Sequence, residues 1–347
     1  MAVAALLEPL LACYRAEPLR RLGRSYPALL LDQTAAPLLM QAPERTLRPP
    51  ARWGDPERLP LIVDEPGYPE ELRAQGRTVG PGLCYRMTSI SGSGASLRVG
   101  CDLGRYDLML RSSETLAREA HTCAAFDPAD PLAALPLRAA LQHAVADPLR
   151  DGTGRHAALA CSVLLAAADP AGGYRLHLRR RSQQVATYPG RLHVQPSFML
   201  SPAQAGIGRS LNLAGQVRRE YAEELFAHPE DEDAETHPAV AELYTLLGRG
   251  EAHLHRSGLA VDLWNLRPEL LCLLVINDPG WLARHMPGSP LPFRDGFEVA
   301  AASAPPSVCP DWSDERIAAV YALDPETSVP TGAASFWLGL DLLRRLR

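Results

Sequence analysis

The second half of the chain alternates between strand-like and helix-like spacing of its apolar residues. Residues 156–182, HAALACSVLLAAADPAGGYRLHLRRRS, predict two strands, because the turn residues DPAGG separate two runs of strand-forming side chains. Residues 258–266 and 270–276 predict two further strands. Residues 216–227, QVRREYAEELFA, and 332–347 have the apolar spacing of helices. Strands mixed with helices in this way predict an α/β fold.

The first half of the chain is rich in proline and predicts a different set of elements. Residues 1–24 and 26–40 have helical apolar spacing. Residues 83–112 carry clustered and alternating strand-forming side chains around the turn SGSG, which predicts a small antiparallel sheet. Two helices are expected after that sheet, within residues 112–146.

A glycine-containing segment, DGTGR at residues 151–155, separates the two patterns. It predicts an N-terminal α+β domain at residues 1–150, whose role no motif indicates, and a second domain at residues 151–347. A two- or three-stranded sheet is only marginally stable without a partner surface. We therefore expect the N-terminal domain to pack against the second one.

Composition and charge exclude several classes of protein. The 347 residues carry a formal net charge of −5 and no long basic run, so nothing indicates general nucleic-acid binding. No apolar stretch approaches the roughly 20 residues that cross a bilayer, and we expect no membrane span. The seven cysteines are widely spread without a Cys-x-x-Cys pair, which predicts reduced thiols and a cytoplasmic location. No pattern predicts an oligomeric state.

Three glutamates in the helix at residues 216–227 are the strongest chemical signal. Glu220, Glu223 and Glu224 stand at i, i+3 and i+4, so all three project from one face within one turn. Such carboxylates are common on solvated helix faces, where nearby arginines offset their repulsion. A divalent cation offers the other way to offset it, and carboxylate oxygens are the ligands that Mg²⁺ and Mn²⁺ prefer.

The order of elements around these glutamates resembles the Nudix hydrolase family. Residues 219–224, REYAEE, match the second half of the family's conserved box, Arg-Glu-hydrophobe-x-Glu-Glu. Upstream lie a strand, an Arg-Ser pair at 181–182 and a Pro-Gly turn at 189–190, which is similar to the family's usual approach to the box. The resemblance covers roughly residues 155–280 and implies a Nudix α/β/α sandwich in the second half of the chain.

The resemblance also implies an activity and residue roles. Glu220, Glu223 and Glu224 would hold Mg²⁺ or Mn²⁺, and Arg219 would orient them as an ion-pair partner. The substrate would be a nucleotide-type small molecule, a nucleoside diphosphate linked to a second group, which the metal would help to hydrolyse. Glu224 and Glu269 are the implied catalytic residues.

The general base in this family often comes from a later loop, and three carboxylates here are candidates for it. They are Asp262, Glu269 and Asp278. Glu269 lies in the segment LRPELL, outside the apolar run of the following strand, and is preferred for that reason.

The front half of the family's box is absent from this chain. Leu211 stands at the position of the box glutamate and Phe226 at that of the later glycine, while Ser197 and Phe198 replace the usual Gly-Gly pair. In the family, this loop and the helix form one rigid unit around the metal. The departures therefore favour an alternative hypothesis, a catalytically inactive nucleotide-binding or regulatory module that retains the fold.

Overall fold

The computed structural model describes residues 2–38, 45–80, 82–203, 206–230, 232–285 and 307–347. The helices of these residues are α1 (Ala2–Ala12), α2 (Tyr68–Ala74), α3 (Tyr106–Met109), α4 (Thr115–Thr122), α5 (Pro136–Ala144), α6 (Ile207–Ser210), α7 (Leu213–Phe226), α8 (Pro238–Arg249), α9 (Trp281–His285), α10 (Asp314–Tyr321) and α11 (Pro330–Leu346). The strands are β1 (Glu17–Arg21), β2 (Arg24–Asp32), β3 (Ala36–Pro37), β4 (Leu47–Arg48), β5 (Leu83–Ser91), β6 (Arg98–Arg105), β7 (Ala160–Ala168), β8 (Tyr174–Leu176), β9 (Leu178–Arg180), β10 (Leu192–Val194), β11 (Ser197–Met199), β12 (Ala252–Asp262) and β13 (Pro268–Ile276).

A mixed sheet of eight strands forms the centre of the fold. Six of its strands follow the order β1-β2-β12-β13-β7-β11, while β3 pairs with β12 and β8 pairs with β7. Strands β7 and β13 are parallel, and the other pairs in this sheet are antiparallel. Helices accompany this sheet, so the chain has a mixed α/β fold, as its apolar pattern predicts.

The two faces of the main sheet contact different helices. In β7, Cys161 and Val163 belong to a core cluster that includes apolar residues of α7 and α8. The next residue, Leu164, belongs to a second cluster with α10 and α11. Because successive side chains of a strand point to opposite faces, α7 and α8 lie on one side of the sheet and α11 on the other. This layering places the glutamate helix α7 directly against the central strands.

Strands from both halves of the chain share the main sheet and the core. In the sheet, β2 pairs with β12, with Leu30 opposite Ala260. The small sheet β4-β6-β5 contributes to the same core cluster as α7, and the backbone N–H of Leu159 donates to the carbonyl of Tyr85 at 2.8 Å. The expected packing of the N-terminal half against the second half is therefore present. The predicted boundary at residues 151–155 does not separate the sheet.

Three predictions for the first half of the chain are wrong. The helix predicted at 1–24 ends at Ala12 and is followed by the strand β1, and residues 26–32 of the helix predicted at 26–40 lie in the strand β2; residues 39 and 40 lie outside the described residues. The run Tyr26–Leu30 is buried at every position, and a continuous apolar run fits the helical period and a doubly buried strand equally well. Residues 106–114, partly predicted as strand, form α3 and a π-helical turn.

Candidate functional site

The helix that carries the glutamates, α7, is fixed at both ends and along one face. The side chain of Asn212 caps its N-terminus by accepting a hydrogen bond from the Gly215 N–H at 2.8 Å. Its C-terminus ends at Ala227 in the left-handed conformation, with φ 58°. Val217 and Tyr221 are fully buried against the sheet. The packed face therefore determines where the charged residues of the helix project.

Glu220 and Glu223 line the same cavity, which we call the carboxylate cavity. Its volume is about 470 Å³, and it contains no lining carboxylate from the main sheet. Its walls are formed by Gly80, Gly82, Leu83, Tyr106, Phe198, Met199, Ser201, Pro202, Ala203, Arg219, Glu220, Glu223 and Glu230. The predicted convergence of glutamates from one turn of helix is present for this pair.

Arg219 contacts both of these glutamates. Its Nη2 donates to Glu220 Oε1 at 2.8 Å, and its Nε lies 3.4 Å from Glu223 Oε1. The same guanidinium donates to the hydroxyl of Ser201 at 2.9 Å, which fixes it at the cavity wall. Arg219 is therefore an ion-pair partner of two carboxylates, as the resemblance implies.

Burial shifts the protonation of both cavity carboxylates. It raises the pKa of Glu220 to about 8, against the opposing charge of Arg219 and with a further contribution from the neighbouring glutamates. Burial also raises the pKa of Glu223 to about 7, again opposed by Arg219. One oxygen of Glu223, Oε1, is buried and accepts no hydrogen bond, with Arg219 Nε only in ion-pair range at 3.4 Å. The cavity therefore holds carboxylate oxygens whose negative charge is incompletely compensated.

Glu224 projects away from the carboxylate cavity. Its Oε1 accepts a hydrogen bond from Arg179 Nη2 at 2.9 Å, and its Oε2 accepts one from the backbone N–H of Ser197 at 3.0 Å. Burial raises the pKa of Glu224, and Arg179 opposes that shift. The structure thus brings together two of the three predicted metal ligands and connects the third to strands β9 and β11.

The carboxylates of the cavity provide only part of a donor set for Mg²⁺ or Mn²⁺. Among the described residues, no group of three or more His, Cys, Asp or Glu side chains is arranged to hold a metal ion. Magnesium is often bound by one or two carboxylates, with water and substrate phosphate completing its shell. Glu220 and Glu223 fit that limited role, since Glu223 Oε1 is paired with Arg219 but accepts no hydrogen bond. A site built from all three glutamates does not fit this arrangement.

A second cavity, of about 210 Å³, adjoins the first, and we call it the arginine cavity. Tyr106, Phe198 and Met199 line both cavities, so the two spaces meet at these side chains. The other lining residues of the arginine cavity are Ala160, Arg181, Thr187, Tyr188, His193, Ser197, Asp262, Asn265, Arg267, Glu269, Val329 and Thr331. The cavity is therefore small, polar and built from both strands and loops.

The arginine cavity contains two of the three candidate bases. Glu269 Oε2 accepts a hydrogen bond from the hydroxyl of Thr331, and burial raises the pKa of Glu269. Asp262 accepts one from the hydroxyl of Tyr188, and burial raises the pKa of Asp262 to about 7. Asp278 lines neither cavity and pairs with an arginine of α9. Neither implied catalytic residue, Glu224 or Glu269, lines the carboxylate cavity.

Several residues of the arginine cavity carry no sequence signal for a site. Arg267 and Asn265 belong to the turn between β12 and β13, and spacing along the chain does not relate them to Tyr188 or to the helix glutamates. Arg181 is the exception, because it is the arginine of the Arg-Ser pair at 181–182. The Arg-Ser pair was therefore the sequence feature that could have indicated a second group of charged residues.

Comparisons with known proteins give no assignment. No protein-family model matches the sequence, and no curated protein matches it. None of the helices in the described ranges is long and apolar enough to cross a membrane. The case for a function therefore rests on the side chains of the two cavities and on the family resemblance of residues 219–224.

Proposed function

We propose that the protein is a divalent-metal-dependent hydrolase of a nucleoside-diphosphate-linked substrate, built on a Nudix α/β/α sandwich. The observation that carries this proposal is the convergence of Glu220 and Glu223 on one cavity, with Arg219 paired to both. The segment REYAEE at 219–224 and the helices on both faces of the main sheet support the same proposal. The seven free cysteines, all within the described ranges, support a cytoplasmic location.

The residues of the chain divide the proposed chemistry between them. Glu220 and Glu223 would hold Mg²⁺ or Mn²⁺, which when bound supplies positive charge for the diphosphate and lowers the pKa of a bound water. Arg219 keeps the two carboxylates on one side of the cavity. Glu269 Oε1 has no hydrogen-bond donor within 3.5 Å among the described residues, so it is available to accept a proton at the adjoining cavity.

A second candidate function is nucleotide binding without turnover. Two observations favour it: Glu224 is occupied by Arg179 and by the Ser197 N–H, and Leu211, at the position of the box glutamate, is buried in the core. Neither position then provides a free carboxylate near Glu220. In that case the two cavities would serve recognition, and the metal would bind only together with the ligand.

Turnover assays separate catalysis from its absence. The wild-type protein should be incubated with nucleotide sugars, dinucleotides and nucleoside triphosphates in the presence of Mg²⁺ or Mn²⁺, and nucleotide and phosphate release should be measured. We expect metal-dependent release from at least one diphosphate-linked compound and its loss in Glu220→Gln/Glu223→Gln. Glu326→Gln, an exposed position that lines neither cavity, is the matched control. Metal-independent release, or release that survives the double substitution, contradicts the proposed roles.

Calorimetry with the same compounds separates the two candidate functions. Saturable nucleotide binding without any product favours the binding module. If binding needs no metal and is unchanged in Glu220→Gln/Glu223→Gln, the carboxylate cavity is not the site and both candidates lose their support.

A further inference from the structure

Arg181 is a guanidinium without a carboxylate partner at the wall of the arginine cavity. Its Nε donates to the carbonyl of Thr187 at 3.1 Å, and its Nη2 lies 3.4 Å from the hydroxyl of the same residue. No salt bridge joins it to an acidic residue in the described part of the chain. A second guanidinium, that of Arg267, lines the same cavity and pairs with Glu114 at 3.0 Å.

The carboxyl groups that line this cavity are largely occupied by donors within the protein. Asp262 accepts from the hydroxyl of Tyr188, from the Trp264 N–H at 2.9 Å and, at 3.5 Å, from the amide of Asn265. Glu269 uses Oε2 for the hydroxyl of Thr331. The groups that remain available to a ligand in this cavity are therefore mainly hydrogen-bond donors, together with one acceptor, Glu269 Oε1.

Two further groups in the cavity wall lack partners although they are buried. The hydroxyl of Ser197, a residue that is 6% exposed, has no hydrogen-bond partner among the described residues. The same is true of Nδ1 of His193, which is 5% exposed. The Nε2 of that histidine lies 3.8 Å from Glu269 Oε1. Unsatisfied buried polar groups cost free energy, which a ligand with matching groups recovers.

We propose that the arginine cavity binds a terminal phosphoryl group, with Arg181 and Arg267 as its cations and Ser197 as a further donor. Guanidinium groups present paired N–H donors that match phosphate oxygens. A cavity of about 210 Å³ has room for a phosphoryl group but is smaller than the usual pocket of a complete drug-sized ligand, which occupies roughly 300–1,000 Å³.

The free oxygen of Glu269 selects among oxyanions of the same shape. Phosphate monoanion carries a proton that it can donate to Glu269 Oε1. Sulfate near neutral pH carries no proton, so one of its oxygens would be repelled by the carboxylate oxygen. Phosphate is therefore preferred over sulfate. Carboxylate ligands lack the third and fourth oxygens that would reach Ser197 and both arginines together.

This inference deepens the proposed function and rests on it for the identity of the substrate. The arginine cavity meets the carboxylate cavity at Tyr106, Phe198 and Met199. A substrate whose diphosphate lies at the carboxylate cavity can thus place an additional phosphoryl group at the arginines. The substrate class becomes a nucleoside-diphosphate compound that also bears a terminal phosphate.

Inorganic phosphate in metal-free buffer with EDTA tests the site independently of hydrolysis. Isothermal titration of the full-length chain should show saturable binding of phosphate and weaker binding of sulfate. Arg181→Gln should weaken phosphate binding by about 10- to 100-fold, as expected for the loss of hydrogen bonds from a charged donor. Arg180→Gln removes the neighbouring exposed arginine, which lines neither cavity, and should leave phosphate binding unchanged.

Two more variants complete the test. Glu269→Gln replaces the acceptor with a group that can also donate, so the preference for phosphate over sulfate should shrink. If Arg181→Gln does not fold, as judged by circular dichroism, Arg181→Lys keeps the charge without the paired donors and should bind phosphate more weakly than the wild type. Absence of saturable phosphate binding, equal binding of sulfate by the wild type, or an equal loss in Arg180→Gln overturns the inference.

The result is distinguishable from failure of the proposed function. Metal-dependent hydrolysis without phosphate binding at Arg181 leaves the function standing and removes this subsite. Phosphate binding without hydrolysis leaves the subsite standing and favours the binding module.

Discussion

Replacing Glu220 and Glu223 together by glutamine should make the metal-free protein more stable, and the gain should increase with pH. Both side chains are only 10% and 11% exposed, and both carboxyl pKa values are raised, to about 8 and about 7. Glutamine resembles the protonated carboxyl in size. It also keeps an oxygen that can accept the hydrogen bond from Arg219.

The direction of this stability change follows from the linkage between protonation and folding. A carboxyl whose pKa is raised in the folded state binds its proton more tightly there than in the unfolded chain. Its contribution to stability is favourable below the unfolded pKa and is lost as the pH rises from 4.5 toward the folded values of about 7 and 8. Glutamine does not titrate, so the variant lacks this loss.

The magnitude follows from about 1.4 kcal/mol for each pKa unit. Both folded-state pKa values are at or above pH 7, and pH 7 lies about 2.5 units above the ordinary value of 4.5, which gives an upper bound of about 3 kcal/mol per group. The two charges interact, and the cavity is open to water, so we expect the double variant to gain about 2–4 kcal/mol at pH 7 and about 1 kcal/mol at pH 5.

Urea unfolding of wild type and variant at pH 5, 6, 7 and 8 measures this gain. Adding Mg²⁺ or Mn²⁺ should raise the Tm of the wild type by mass action and have no such effect on Glu220→Gln/Glu223→Gln. Glu326→Gln should follow the wild type in both experiments. A gain in stability that is constant with pH, or a variant that is less stable than the wild type at pH 8, would refute the claim that burial disfavours the ionised form of these carboxylates.

Three further predictions concern the stability of the fold. Arg256→Met removes the cation 3.2 Å from Asp32, where both side chains are at most 3% exposed. Chemical unfolding should therefore show a free energy of unfolding that is lower by about 3–5 kcal/mol, and a decrease under about 1 kcal/mol contradicts this. In Gly152→Ala the new Cβ lies 2.0 Å from a backbone oxygen, so calorimetry should show a free energy of unfolding that is lower by about 1–3 kcal/mol. In the control variant Gly208→Ala, the new Cβ has no neighbouring atom within 4 Å. Burial lowers the pKa of His156 to about 4, so the neutral ring stabilises the fold above pH 6.5 and this contribution is lost as the pH falls toward 4; His156→Gln should lose less stability over that range, and an equal loss would argue against the shift.

The elements with a strong local pattern were predictable from the sequence. The strands β7 and β13 coincide with the apolar runs that predicted them, and α7 and α11 coincide with the two helical patterns, whereas β12 overlaps its predicted run at 258–266 only in residues 258–262. In each case the side-chain period and the flanking turn residues agree with the burial that tertiary packing imposes. Local and global preferences then select the same structure.

The first half was harder to predict because its apolar residues have no single period. In β2, five consecutive residues from Tyr26 to Leu30 are buried, since β1 and β12 flank the strand and core clusters cover both faces. Nothing within the segment shows that a strand 230 residues later will pair with it. The same pairing is what joins the two halves of the chain into one sheet.

The candidate site likewise has a part that the sequence predicts and a part that depends on the fold. That Glu220 and Glu223 share a surface follows from helical spacing alone, because neighbours at i and i+3 lie on one face. Their cavity does not follow from spacing, since its opposite wall comes from residues near Leu83 and Tyr106. The arginine cavity combines segments that are spread along the chain from Tyr106 to Thr331, and only the fold brings them together.

Glu224 shows why the position of a residue on a helix does not determine its role. It is one residue from Glu223, yet its two oxygens connect α7 to Arg179 of β9 and to the Ser197 N–H of β11. Ser197 lines the arginine cavity, and the following Phe198 lines both cavities. Because a charge-assisted pair at a buried position is strongly directional, Glu224 fixes the helix relative to the strand that borders both cavities. A substitution at Glu224 removes this connection between α7 and the strands β9 and β11. Its effect on a ligand that spans both cavities should therefore exceed its effect on inorganic phosphate, which needs only one of them.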